Sequence, residues 1–281
     1  MEVNTTGTSE SGNEPRRPAG AGFRLLTADL RRRPARIPGS SLIPASLYGT
    51  HDVHVTPSTV TTGVRTTRLL LTAGPVASVV FIGVVLVEGA LRPGYEPLHR
   101  FGSELALGDR GWVQVANFIL TGVCILAFAA GLRRALPTGR GSRAAPVLAS
   151  LVGVCLIVGG VFVIDPKPGY PVGTTETDEP TLHGLVHDAN PLPFYASLVA
   201  LVCVMAWRFA AEPGGRWWMW FCVIVAILVP VTFGIAAALF DPDTQTGRFH
   251  GLWQRVSLAV GLGWFGPVAV HLAARRQDDE Q

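Results

Sequence analysis

The chain has 281 residues, 48% of them apolar and only 15% charged, with a formal net charge of +3. Soluble domains carry about 25% charged residues, so these proportions exclude one and require that much of the apolar surface meet lipid. The basic residues are 22 Arg and a single Lys, a bias that fits a GC-rich bacterial gene, and membrane topology accounts for most of them without a nucleic-acid partner.

Residues 1–67 are rich in Gly, Ser, Thr, Pro and Arg and show no helical period. Such a composition cannot bury a core, so a disordered cytoplasmic N-terminal tail is expected. Arg16 and Arg17 resemble a twin-arginine start, but no apolar run follows them and no signal peptide is read. Arg24, Arg31 to Arg33 and Arg36 form a basic cluster suited to a solvated tail or to anionic headgroups. The stretch VRTTRLLLTAGP would open a first span unaided, which makes a start near Val60 or Val64 a competing reading.

Six windows follow at 69–89, 112–132, 144–164, 191–209, 217–240 and 252–274. Each has the roughly 20 apolar residues that carry a helix across about 30 Å of hydrocarbon. They predict an all-α, six-transmembrane-helix bundle over 68–275, with a short cytoplasmic tail at 276–281. Cys124, Cys155, Cys203 and Cys222 fall one each in spans two to five and read as small apolar packing residues, not as a disulfide framework. Pro75, Pro230 and Pro267 should each bend their helix.

Positive residues are retained on the cytoplasmic side of a membrane. Arg65, Arg68, Arg133, Arg134, Arg140, Arg143, Arg208, Arg216, Arg275 and Arg276 lie on one side; Arg92, Arg100, Arg110, Lys167 and Arg248 lie on the other, with Arg255 just inside a span. Both termini are therefore expected in the cytoplasm of a multi-pass protein of the cell membrane. In the first outer loop, Ser103 is a candidate cap for a short helix with Glu104 in its first turn, lying as a lid over the bundle mouth.

Spans pair into three in-out-in hairpins, and the even spans open alike: RGWVQV at Arg110, HGLVHD at His183 and HGLWQR at His250. RPGY at Arg92 matches KPGY at Lys167. These likenesses suggest three repeated hairpins, which would set Gln114, His187 and Gln254 in equivalent places as a polar ring and pair Asp188 with Arg255. With His183 and His250, these seven residues are the candidate ligand-binding set: Gln114, His183, His187, Asp188, His250, Gln254 and Arg255. His183 and His187 share a helix face. With His250 they offer a three-histidine zinc site, where the metal would lower the pKa of a bound water. HxxxH lacks the Glu of HExxH, and the simpler reading is no cofactor and interfacial histidines bonded to loop backbone.

LRPGYEPLHRFGSELALGDRGWVQVANFILTG, GLRRAL, IDPKPGYP, TLHGLVHDANPLPFY and FHGLWQRVSLAVGLGW together resemble the bacterial and archaeal membrane family named domain of unknown function 998, over roughly 68–275. The resemblance implies a six-helix integral membrane protein and brings no activity, cofactor or catalytic residue. The leading expectation is a non-enzymatic membrane protein that binds a small molecule or lipid headgroup at an outer, histidine-containing mouth. A metal-dependent lipid hydrolase and a small transporter are the alternatives.

Overall fold

The computed structural model describes residues 57–175 and 179–278. Eight helices follow in order: α1 (Pro57–Leu91), α2 (Gly111–Ala135), α3 (Ala144–Val161), α4 (Leu182–Ala189), α5 (Pro191–Phe209), α6 (Arg216–Ala238), α7 (His250–Gly263) and α8 (Phe265–Asp278). α4 with α5, and α7 with α8, are successive pieces of single spans. Six segments are therefore long and apolar enough to cross a membrane: Gly63–Leu91, Gly111–Ala135, Ala144–Val161, Leu182–Phe209, Arg216–Ala238 and His250–Arg275.

Two boundaries differ from expectation. Residues 57–67 belong to α1 and not to a tail. The fourth span opens at Leu182 and not at 191, because its N-terminus is built from polar groups that hydropathy discounts. The Thr181 hydroxyl accepts from the Gly184 amide at 3.1 Å, satisfying one of the free N–H groups that begin a helix. Asp165 fixes that cap, accepting from the Thr181 hydroxyl at 2.6 Å and its amide at 2.9 Å. The N-terminal basic cluster and residues 1–56 and 279–281 lie outside the described residues.

The helices pack in chain order, α1 on α2, α2 on α3, α3 on α5, α5 on α6 and α6 on α7, and the last span returns to α1. This closes a ring of six spans. Small residues set a close crossing of α2 on α3: a Cβ on Gly122 would sit 2.6 Å from the Gly153 carbonyl, and one on Gly153 would sit 2.9 Å from the Gly122 carbonyl. Helices in lipid gain from such close approach because no hydrophobic force drives them together. Leu71, Ile125, Phe128, Leu198, Leu201, Trp264 and Phe265 fill the interior, while Val79, Leu192, Ile227 and Val231 face outward. The last span breaks at Trp264. Pro267 lacks the N–H that would have bonded to the carbonyl four residues back, at Gly263.

Glu212 pairs with Arg208 at 2.9 Å and with Arg275 at the end of the ring remote from the loops of the candidate site. The four cysteines are free.

Candidate functional site

The loop between α1 and α2 is drawn into the mouth of the ring. Its 3-10 turn, Gly102–Ala106, is buried at every residue, and Leu105 has no exposure. The turn is therefore an inserted plug and not a lid lying in the interface. Ser103 does not cap it: Phe101 precedes the turn, and the Glu104 carboxylate accepts from the Phe101 amide at 2.9 Å.

The irregular loop around the plug leaves backbone carbonyls without helix partners, and arginines answer several of them. Arg92 donates to the carbonyls of Leu107 at 2.9 Å, Arg110 at 3.1 Å and Leu105 at 3.3 Å, and to the Tyr170 hydroxyl at 3.3 Å. Its charge is met by Glu88 at 2.9 Å, which also takes Arg110. Arg100 donates to the Pro168 carbonyl at 2.7 Å and to Glu104 at 3.3 Å. Arg255 donates to the carbonyls of Arg100 at 2.8 Å and Gly251 at 2.9 Å, and to the Tyr95 hydroxyl. The fork of donors on a guanidinium suits it to gathering several acceptors at once. Burial pushes the Glu104 carboxyl above the ordinary range, against the lowering effects of the Phe101 amide and Arg100. Burial likewise raises the Tyr95 hydroxyl, outweighing Arg255.

Beside this plug is a cavity of about 410 Å³ lined by residues from all six spans. Its walls are apolar and aromatic, with Phe81 and Val85 of α1, Phe118 of α2, Leu156 of α3, Phe194 and Tyr195 of α5, Phe233 of α6 and Leu258 of α7. Tyr195 stacks on Phe233 with ring centroids 4.0 Å apart. Polar groups are few: Ser103, Lys167, His187, Asp188, Asn190, Gln245 and Gln254.

Lys167 is the chain's one lysine and is 5% exposed. Its ammonium donates to Gln245 at 2.6 Å, stands 3.8 Å from Asp188, and lies 5.4 Å from the Phe240 ring centroid. The short antiparallel ribbon β1 (Phe240–Asp241) and β2 (Thr246–Gly247) places Gln245, in a left-handed backbone conformation with φ 53°. An ammonium has three donors, and among the described residues only the Gln245 contact is of full hydrogen-bond length.

The predicted residues divide. His187, Asp188 and Gln254 line the cavity. The His187 Nδ1 donates to the Phe162 carbonyl at 2.7 Å, and since a carbonyl only accepts, that nitrogen carries the proton. Gln254 accepts from the Gly102 amide at 2.8 Å, tying α7 to the plug. Gln114 is fully buried off the cavity lining and accepts from Asn117 at 3.2 Å. His183 is exposed and lies against Phe162, with centroids 5.2 Å apart. His250 is buried against Phe101 and Phe240, with centroids at 4.5 and 5.3 Å. The expected Asp188–Arg255 pair is not formed: Asp188 faces Lys167, and Arg255 serves the loop backbone. Among the described residues no group of three or more His, Cys, Asp or Glu is gathered to hold a metal ion, so His183, His187 and His250 do not converge.

The three similar hexamers share a local device. Gly111, Gly184 and Gly251 are each buried at the opening of an even span, where a Cβ would strike the Ala106 carbonyl, the Asp165 carboxylate and the Arg100 carbonyl respectively. Each glycine thus admits part of the preceding loop against its helix. The packing order defines a ring, and a hairpin repeat is not established by it. Sequence reasoning missed Lys167 and Asn190 in the site; a solitary lysine among 22 arginines was the available signal.

Fold and cavity together define a polytopic helical membrane protein with a pocket at one end of its ring. The chain belongs to the family described as protein of unknown function (DUF998), whose sequence profile matches residues 75–271. No curated protein and no solved structure matches it.

Proposed function

We propose that this is a non-enzymatic protein of the cell membrane that binds a small amphipathic molecule or lipid headgroup in the mouth cavity. The observation that carries this reading is a cavity of about 410 Å³, apolar on all six spans, with the buried Lys167 ammonium at its polar part. Ligand pockets of about 300–1,000 Å³ with apolar walls and a few placed polar groups are the usual form of a small-molecule site. Lys167 has donors to offer a phosphate or carboxylate, and His187, Asp188, Asn190 and Gln254 give the remainder of the polar set. The arginine distribution supports an outer mouth and cytoplasmic termini.

Binding of dihexanoyl phosphatidylglycerol, a short-chain water-soluble lipid, to the detergent-purified protein tests the reading. Lys167→Ala is expected to weaken binding at least tenfold, and Phe233→Trp, which narrows the cavity, to weaken it as well. Binding unchanged in both variants refutes the assignment.

A further inference from the structure

A second, smaller hollow of about 190 Å³ lies between α1 and α7, lined by Phe81, Ile82, Val85, Leu86, Arg255, Val256, Leu258 and Ala259. Phe81, Val85 and Leu258 also line the mouth cavity. The same three side chains thus face both spaces, and the wall between them is one side chain thick. Phe81 and Val85 are 2% and 4% exposed, whereas Leu86 is 55% exposed and Ala259 is exposed. The hollow therefore opens outward from the ring. At 1.5 Å per residue, Leu86 and Val256 lie roughly 7–9 Å from the mouth ends of their helices, and Ile82 and Ala259 roughly 13 Å. A hydrocarbon core about 30 Å thick, centred on these spans, would bring lipid acyl chains to that depth.

This seam is also where the ring closes, the last span meeting the first. A hydrogen bond from the Ser78 hydroxyl to the Leu262 carbonyl ties α1 to the deeper end of α7. Nearer the mouth the seam is lined by the apolar side chains above and by the aliphatic stem of Arg255, whose head is turned to the loop carbonyls. The hollow is apolar, which suits acyl chain, and the cavity behind its wall holds the Lys167 ammonium, which suits an anionic headgroup.

We infer that the hollow between α1 and α7 is a lateral doorway through which the headgroup of a glycerophospholipid enters the mouth cavity from the bilayer, its acyl chains staying in the hollow and the lipid, the Phe81, Val85 and Leu258 side chains parting to admit it. The inference rests on the cavity being a ligand site, as proposed above. Each of these side chains borders empty space on both faces of the wall, so each has room to turn into.

The test compares uptake of two probes by the full-length protein, followed by native mass spectrometry at timed intervals after mixing. Dipalmitoyl phosphatidylglycerol is delivered in nanodiscs; dihexanoyl phosphatidylglycerol is delivered from water. Ala259→Trp, whose new side chain fills the hollow from the lipid side, is expected to slow long-chain uptake at least tenfold and leave short-chain uptake within twofold. Ala259→Ser is expected to match wild type for both. Leu86→Trp, on the facing helix, repeats the test should Ala259→Trp fail to fold. Ala259→Trp slowing neither probe, or both equally, overturns the doorway. Wild-type protein that takes the short probe but not the long one also overturns it while leaving the cavity reading intact. Wild type that takes neither overturns the cavity reading and the doorway with it.

Discussion

Glu88→Ala should be among the most damaging single changes near the mouth. The Glu88 carboxylate is 5% exposed and holds Arg92, whose side chain is 7% exposed, at 2.9 Å. Removing one partner of a buried ion pair costs about 3–5 kcal/mol because the remaining charge is left uncompensated. Arg92 keeps the Leu107, Arg110 and Leu105 carbonyls, which places the effect at the lower end, about 3 kcal/mol. The Arg110 side chain is 51% exposed, so its share adds no more than about 1 kcal/mol. Unfolding in mixed dodecylmaltoside and sodium dodecyl sulfate micelles measures the loss. Arg92→Met alone should also destabilise, by losing the carbonyl contacts that pin the plug. In the double variant neither charge is stranded, so a coupling of about 2 kcal/mol is expected between the two sites. A Glu88→Ala protein within about 0.5 kcal/mol of wild type, or strict additivity, would show that the pair does not anchor the plug.

Gly251→Ala is expected to lower folding yield sharply, since the new methyl would meet the rigid Arg100 backbone; Gly263→Ala, with nothing within 4 Å, should be stabilising by about 0.5–1 kcal/mol in the same unfolding assay. Arg255→Met should cost about 3 kcal/mol by releasing the Arg100 and Gly251 carbonyls, and Arg255→Lys should recover only part of it. Because burial holds the Glu104 carboxyl above its ordinary range, the folded protein binds more protons than the unfolded one between the ordinary and the raised value. Its contribution to stability therefore increases as pH falls through that window. The stability difference between wild type and Glu104→Gln should grow in favour of wild type on acidification. A flat difference would mean that burial does not dominate there.

The spans were legible because hydropathy over about 20 residues is a signal each helix carries alone. The start of the fourth was not, because Thr181, His183, His187 and Asp188 are polar while their helix is held by the Asp165 cap, a contact from 16 residues away. The likeness of the hexamers singled out His187, Asp188 and Gln254, which line the cavity. The same likeness misassigned Arg255, since position along aligned segments does not tell which of several acceptors a guanidinium reaches. Tyr95 and the Arg100 carbonyl lie in the loop between α1 and α2, whose insertion into the ring no period announces. The cavity itself needs six helices to close, so no single stretch could reveal it.

A chain is inserted in the order of its synthesis, earliest segments first. While the ribosome still holds the later helices, α1 has α2 on one flank and bare lipid on the other, and it waits there until α7 and α8 arrive. The joint beside the smaller hollow is thus the youngest in the assembled protein, and a nascent chain halted before His250 would leave the pocket gaping to the bilayer along its whole side.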